Sequence, residues 1–172
     1  MIANNDRISV ARLREVVMYD PKTGDFTWLA RGIKRFDNRF AGKRASTLTP
    51  QKYNQLCIDH KVIRAARAAY AMMMGNWPET VVDHINGVRN DDRWSNLRLA
   101  TSSDNACNSA KQSNNKTGFK GVTRRRKGKP FEATIMRHGK HTYLGTYDTA
   151  EEAYSAYCKA AEALHGEYGR MD

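Results

Sequence analysis

Asp83 and His84 stand side by side, and Asn96 and Asn105 follow at spacings that can return all four to one place. The residue types suit phosphodiester hydrolysis. An imidazole can take a proton from water, and a carboxylate with an amide oxygen can hold a hard cation. A second amide can fix either the loop or the imidazole.

The surrounding residues provide the elements that would position this set. Val81 and Val82 precede Asp83-His84, so the pair is expected at the end of a short strand. Asn86-Gly87 is a turn signal, and a polar loop runs from it to Asn96. Leu97-Arg98-Leu99-Ala100-Thr101 alternates apolar and polar, as a half-buried return strand does. Ser102 or Ser103 can cap a helix beginning near Asp104, with Asn105 in its first turn and Asn108 one turn later. Asp91 and Asp92 sit in the polar loop, where turn and Arg contacts are expected of them, and Trp94 is expected to pack under it.

The joint pattern D-H-x-N-G-x(8)-N-L-R-x-x-T-x-x-x-N resembles the HNH endonucleases, whose active site is a ββα-metal motif. By position, the resemblance implies His84 as general base, Asp83 and Asn105 as metal ligands, and Asn96 as the middle Asn that orients the site. The last family position is often His and here is Asn105. It further implies one divalent ion per site. Mg²⁺ or Mn²⁺ suits an Asp/Asn set better than zinc, which favours His and Cys. Arg89, Arg93 and Arg98 are candidate phosphate ligands in the same hairpin.

The whole chain has 172 residues, with 29 Lys and Arg against 18 Asp and Glu, a formal charge of +11. Such a balance attracts polyanions, nucleic acid foremost. No apolar run is long enough to cross a bilayer, and MIANNDRISV lacks a signal-peptide layout. Cys57, Cys107 and Cys158 are widely spaced and form no C-x-x-C pair, which argues against a disulfide framework or a structural zinc site. A cytosolic, reduced protein without membrane partners is expected.

Val10 to Val17 carries apolar residues at helical spacing, and YDPKTGDFTWL reads as a hairpin turning at Pro21 and Gly24. Phage-type HNH proteins often begin with a similar hairpin. Arg31, Lys34, Arg35, Arg39, Lys43 and Arg44 follow with Phe36 and Phe40 interleaved. This segment either tracks a phosphate backbone or forms a solvated loop. Gln55 to Ile63 has scattered strand character, and Ile63 to Met74 is Ala-rich and helical by propensity, with Met72, Met73 and Met74 expected to fill core.

KQSNNKT, Lys111 to Thr117, reads as a linker. Three short strands and a helix are expected beyond it. Thr149 and Glu152 make a capping box, and Ala153, Ala156, Tyr157, Ala160, Ala161 and Leu164 form one helix face. Alternation turns Val122, Phe131, Ala133, Ile135 and Leu144 toward that helix. From Ser113 to Tyr147 there are nine Lys or Arg and one acid, Glu132. The motifs K-G-V-T-R-R-R, FEATIM, YLGTYDT and A-E-E-A-Y resemble the AP2 DNA-binding domain, in which a three-stranded sheet lies in the major groove. The resemblance implies contacts to double-stranded DNA from Lys120, Thr123, Arg125 and Lys127 on the first strand, Thr134 and Met136 on the second, and His141 and Tyr143 on the third.

The expected fold class is α+β: a ββα-metal nuclease core followed by a small AP2-like domain. The expected divisions are an N-terminal segment at 1–48, a nuclease domain at 49–111, a linker at 112–116 and the AP2-like domain at 117–172. The expected function is site-directed DNA cleavage by a homing-type endonuclease acting as a monomer on DNA. The alternatives are a DNA-binding regulator with a vestigial nuclease core, and an HNH nuclease of phage packaging or repair.

Overall fold

A computed structural model of the chain describes residues 8–108, 111, 114–126 and 130–165. The chain divides into two compact units, Met1–Leu99 and Ala100–Asp172.

The first unit opens with helix α1 (Val10–Val16), whose Ser9 hydroxyl accepts the Arg12 N–H. It passes directly into a hairpin of β1 (Val17–Tyr19) and β2 (Phe26–Trp28). The basic segment that follows is the short helix α2 (Lys34–Phe40), which buries none of its residues. A three-stranded antiparallel sheet comes next, in the order β3 (Thr47–Leu48), β4 (Asn54–Ile58), β5 (Lys61–Arg64). Helix α3 (Ala65–Met74) packs on β4, β5 and α1. The two-stranded ribbon of β6 (Val81–His84) and β7 (Leu97–Ala100) follows, with a 3₁₀ turn at Trp94–Asn96.

One core joins these elements: Leu13, Val16, Val17 and Phe26 from the N-terminal part, Leu56, Ile58 and Ile63 from the sheet, the α3 alanines, and Leu97. Five alanines of α3 are buried, and so little side chain lets the helix approach the sheet closely. Met72 packs against the core. Met73 and Met74, expected there too, are 42% and 54% exposed, because they lie in the last turn as the helix leaves the sheet. Arg67 donates to the carbonyls of Pro78 and Thr80 at 3.0 Å each and so fixes the approach to β6. Trp94 packs under its loop as expected, with its ring 5.9 Å from Tyr70.

The hairpin turn is tied to the loop between β6 and β7. The Tyr19 hydroxyl donates to the Asp92 carbonyl at 2.7 Å, and the Trp94 N–H donates to the Pro21 carbonyl at 3.0 Å. Burial pushes the Tyr19 phenol well above its usual range. Gly24, at φ +80, lies against the same backbone; a Cβ there would stand 2.6 Å from both Asp92 C and Arg93 N.

The second unit begins with α4 (Ser102–Cys107). Its cap is Thr101 rather than either serine. The Thr101 hydroxyl accepts the Asp104 N–H at 3.2 Å, and the Asp104 carboxylate accepts the Thr101 N–H at 3.1 Å. Threonine has the serines' capping chemistry one residue earlier. The Ser103 hydroxyl accepts the His138 N–H, tying α4 to the sheet that follows. That sheet has β9 (Phe131–Arg137) between β8 (Val122–Arg124) and β10 (Lys140–Tyr147), all antiparallel. Helix α5 (Ala150–His165) covers one face through Ala153, Tyr157 and Ala161, meeting Val122, Ala133 and Ile135. The expected capping box is present: the Thr149 hydroxyl accepts the Glu152 N–H at 3.2 Å, and the Glu152 carboxylate accepts the Thr149 N–H at 3.4 Å. Gly121, at φ +74, lies under the Tyr157 ring, and a Cβ there would also come within 2.8 Å of the Thr134 carbonyl oxygen.

No helix among the described residues is long and apolar enough to cross a membrane. Cys57 and Cys158 are free thiols.

Two glycines therefore test the two units separately. Gly24→Ala combines left-handed strain with backbone overlap and is expected to cost the first unit roughly 2–4 kcal/mol. Trp28, Trp77 and Trp94 all lie in that unit, so tryptophan fluorescence during urea unfolding measures the loss. Gly121→Ala is expected to cost the second unit a similar amount, read by far-ultraviolet circular dichroism because that unit has no tryptophan. A Gly24→Ala protein with an unmoved fluorescence midpoint would contradict the packing of the hairpin on the loop.

Candidate functional site

Strand β6 ends on Asp83 and His84, which are 5% and 6% exposed. The chain then turns, with the Gly87 N–H donating to the His84 carbonyl at 2.9 Å. Asn86 tightens the turn: its Oδ1 accepts the Val88 N–H and its Nδ2 donates to Asp91. Asn96 closes the loop from its far end. Its Oδ1 accepts the Asn86 N–H at 2.9 Å, and its Nδ2 donates to the Asp91 carbonyl at 2.7 Å. Of the two tasks open to this amide, these bonds belong to fixing the loop; Asn96 acts on the imidazole only through the chain it holds.

The two loop aspartates separate. Asp91 makes the expected Arg contact, accepting Arg93 Nε at 2.7 Å and Nη2 at 2.6 Å. Those bonds, ahead of the one from Asn86, draw its carboxyl down to about 2. Asp92 instead turns inward and is 2% exposed. Its Oδ1 lies 2.9 Å from His84 Nε2, and its Oδ2 accepts Asn54 Nδ2 at 2.9 Å. Asn54 also donates to the Asn90 carbonyl. A carboxylate on Nε2 favours the tautomer with the proton there and the basic lone pair on Nδ1. Asp92 was expected among turn contacts and is in fact the partner of the imidazole. Sequence reasoning passed over it because nothing local distinguishes the second Asp of the N-D-D run from the first. Asn54 lies 38 residues away and carried no signal at all.

Asp83 sits opposite Arg98 across the ribbon. Arg98 Nε and Nη2 both donate to Asp83 Oδ2, at 3.1 and 3.0 Å, and both side chains are largely buried. Arg98, a sequence-level phosphate candidate, is thus engaged with the sequence-level metal ligand. Asn105 lies on α4 in the second unit, its N–H donating to the Thr101 carbonyl at 3.0 Å, and Asn108 is buried just beyond the helix. Asp83 and Asn105 fall in different units, each described by itself. Among the described residues no cluster of three or more His, Cys, Asp or Glu is placed to hold a metal; a one-Asp, one-Asn set would not form such a cluster. The donor types, carboxylate and amide oxygen, fit a hard divalent ion.

Of the other loop cations, Arg93 is engaged by Asp91, while Arg89 lies exposed over the Tyr53 ring and donates to the Gln51 carbonyl.

The sheet face away from α5 presents the expected contact set in register. His141 pairs with Met136 and Tyr143 with Thr134, while Thr123 pairs with Glu132. Thr123, Met136, His141 and Tyr143 are exposed, and Thr134 is half-buried. Lys120 and Arg125 flank β8 instead of lying on it, since the strand is only three residues long. Arg125 forms an ion pair with the single acid of that face, its Nε 3.3 Å from Glu132 Oε2. Lys127 lies outside the described residues.

Comparison with known proteins matches two family profiles to parts of the chain. The HNH endonuclease profile matches residues 64–107, and the AP2 domain profile matches residues 117–167. Protein 3.8 of Escherichia phage T7 is 29% identical over 90 residues, covering 52% of this chain and 74% of the phage protein. Dehydration-responsive element-binding protein 2A of Arabidopsis thaliana is 40% identical over 60 residues, covering 34% of this chain and 18% of its own length. The α+β fold, the buried strand-end histidine and the helix-backed sheet agree with these matches: the chain has an HNH-plus-AP2 architecture.

Proposed function

We propose that the protein is a metal-dependent endonuclease of the homing type, cutting double-stranded DNA at sites chosen largely by its C-terminal sheet. The observation that carries this reading is the buried His84–Asp92 pair at the end of β6, inside the segment matched to the HNH endonucleases.

His84 Nδ1 takes a proton from water, and the hydroxide attacks the scissile phosphorus in line with the leaving 3′ oxygen. Asp92, on Nε2, orients the ring and stabilises the imidazolium that forms. Asn96 holds the loop that carries Asp92. Asp83 and Asn105 would hold one Mg²⁺ or Mn²⁺, which stabilises the charge on the phosphorane and on the leaving oxygen when bound. Arg89 supplies positive charge near the cut, while Arg93 and Arg98, the other phosphate candidates, contribute as far as they are released from Asp91 and Asp83. The outward residues of β8–β10 read the major groove, the protein acting as a monomer, with the nuclease domain at 49–111 and the reading domain at 117–172.

A second reading is a DNA-binding regulator with a silent nuclease core. The observation favouring it is Arg98 on Asp83, where a guanidinium already neutralises the carboxylate that an ion would need. Plasmid incubated with protein and Mg²⁺, then with EDTA, separates the two. Nicking or linearisation that EDTA abolishes supports the enzyme. Binding without cleavage under every divalent ion tried supports the regulator.

Within the enzyme, His84→Ala is expected to lower cleavage by roughly 10²–10⁴-fold with DNA affinity near wild type. Asp92→Asn can donate back to Nε2 and favour the wrong tautomer, so a loss of similar order is expected. Initial rates on a supercoiled plasmid check both, and a fully active His84→Ala protein overturns the mechanism.

Asp83→Ala and Asn105→Ala should each remove metal-dependent cleavage, since each takes an oxygen ligand from a site with few. Normal cleavage by Asn105→Ala together with loss in Asn108→Ala would move the helix ligand to Asn108.

A further inference from the structure

Tyr53, just before β4, stands beside the catalytic imidazole, its ring centroid 6.2 Å from that of His84. Two guanidinium groups lie over the same tyrosine ring: Arg64 with Cζ 4.4 Å from the centroid and Arg89 with Cζ 5.1 Å. Arg64 closes β5 at the entry to α3, and Arg89 belongs to the turn after Asn86-Gly87. All four residues belong to the first unit.

The two guanidiniums of the cluster differ from the paired arginines of this unit. Arg12, Arg44, Arg93 and Arg98 each pair with a carboxylate. Among the described residues, no carboxylate pairs with Arg64 or Arg89, and both are exposed. The buried acid on His84, Asp92, is already engaged by His84 and Asn54. Two cations are therefore gathered on one aromatic platform without an anion of the protein's own. Stacking on an aromatic face holds a guanidinium in plane and leaves its N–H edge directed outward. A planar fork of that kind matches a phosphodiester bidentately.

We propose that Arg64 and Arg89, stacked on Tyr53, form a subsite that grips a backbone phosphate of the DNA strand beside the linkage that His84 attacks. The subsite is blind to sequence, because its donors address phosphate oxygens and not base edges. Arg64 and Tyr53 enter the site by this route alone, since neither lies in the hairpin motif. The location of the phosphate next to the cut rests on the nuclease reading of His84; the grip itself does not.

The test uses full-length protein in EDTA, binding a short random-sequence duplex over a salt series. Arg64→Gln and Arg89→Gln should each flatten the dependence of log affinity on log salt by about one unit if each holds its own phosphate. The double variant should lose roughly one to two units, depending on whether one phosphate is shared. Tyr53→Phe keeps the platform and should bind as wild type does, whereas Tyr53→Leu should behave like an arginine variant. Unfolding midpoints confirm the fold of each, and the two arginine variants are read independently, so a folding defect in one leaves the other decisive. An unchanged salt slope in folded Arg64→Gln and Arg89→Gln proteins overturns the subsite, even if plasmid cleavage is intact. A flattened slope in a protein that never cleaves keeps the subsite and removes the nuclease reading.

Discussion

The Asp92 carboxylate is the constraint on which the first unit depends. A carboxylate taken out of water is costly unless hydrogen bonds replace the solvent. Here they come from opposite sides, from His84 Nε2 on one oxygen and Asn54 Nδ2 on the other. One buried group thereby joins the three-stranded sheet to the strand-end histidine and fixes the ring between them. Removing either donor leaves an uncompensated buried charge, so the pairing specifies a single position for the β6–β7 loop.

The remainder of the unit can be understood from what that loop requires. Its backbone at Asp92 and Trp94 is bonded to Tyr19 and Pro21, and Gly24 lets the hairpin turn approach without a side chain in the way. Asn96 closes the loop on itself, and Arg67 fixes the segment that feeds β6. The N-terminal hairpin thus supports the histidine through the loop. The basic segment after it folds as α2, with Arg31 over Trp28 and Phe36 at 4.8 and 4.2 Å, an arrangement in which cations lie on aromatic faces while the helix buries nothing.

What the sequence discloses is what local rules govern. The strand-end Asp83-His84, the Asn86-Gly87 turn, the first hairpin, the Thr149–Glu152 capping box and the inward set on β8–β10 follow from alternation, turn chemistry and capping over a few residues. Leu144 faces α5 on a strand with an irregularity between Tyr143 and Gly145, so the alternation held up to that point and not through it. The unread parts depend on distance along the chain. Nothing near Asp92 says that it faces a histidine, and nothing near Tyr53 says that guanidiniums from Arg64 and Arg89 will settle on it. Lys120 and Arg125 fall beside β8, which is only three residues long, while Gly121 tucks under Tyr157.

The bond from Tyr19 to the Asp92 carbonyl spans 73 positions, and it has a consequence for the order in which the molecule is made. During synthesis, α1 and the hairpin leave the ribosome long before the loop they support exists. Loop closure over such separations carries an entropic cost that later contacts must offset, and it slows folding. The loop that pairs with the histidine is not in place until Asp92 and Trp94 have emerged and docked on a hairpin formed some seventy residues earlier. Nascent and truncated chains ending before that loop therefore carry His84 without the carboxylate that holds its ring, and the pairing forms only as the fold is completed.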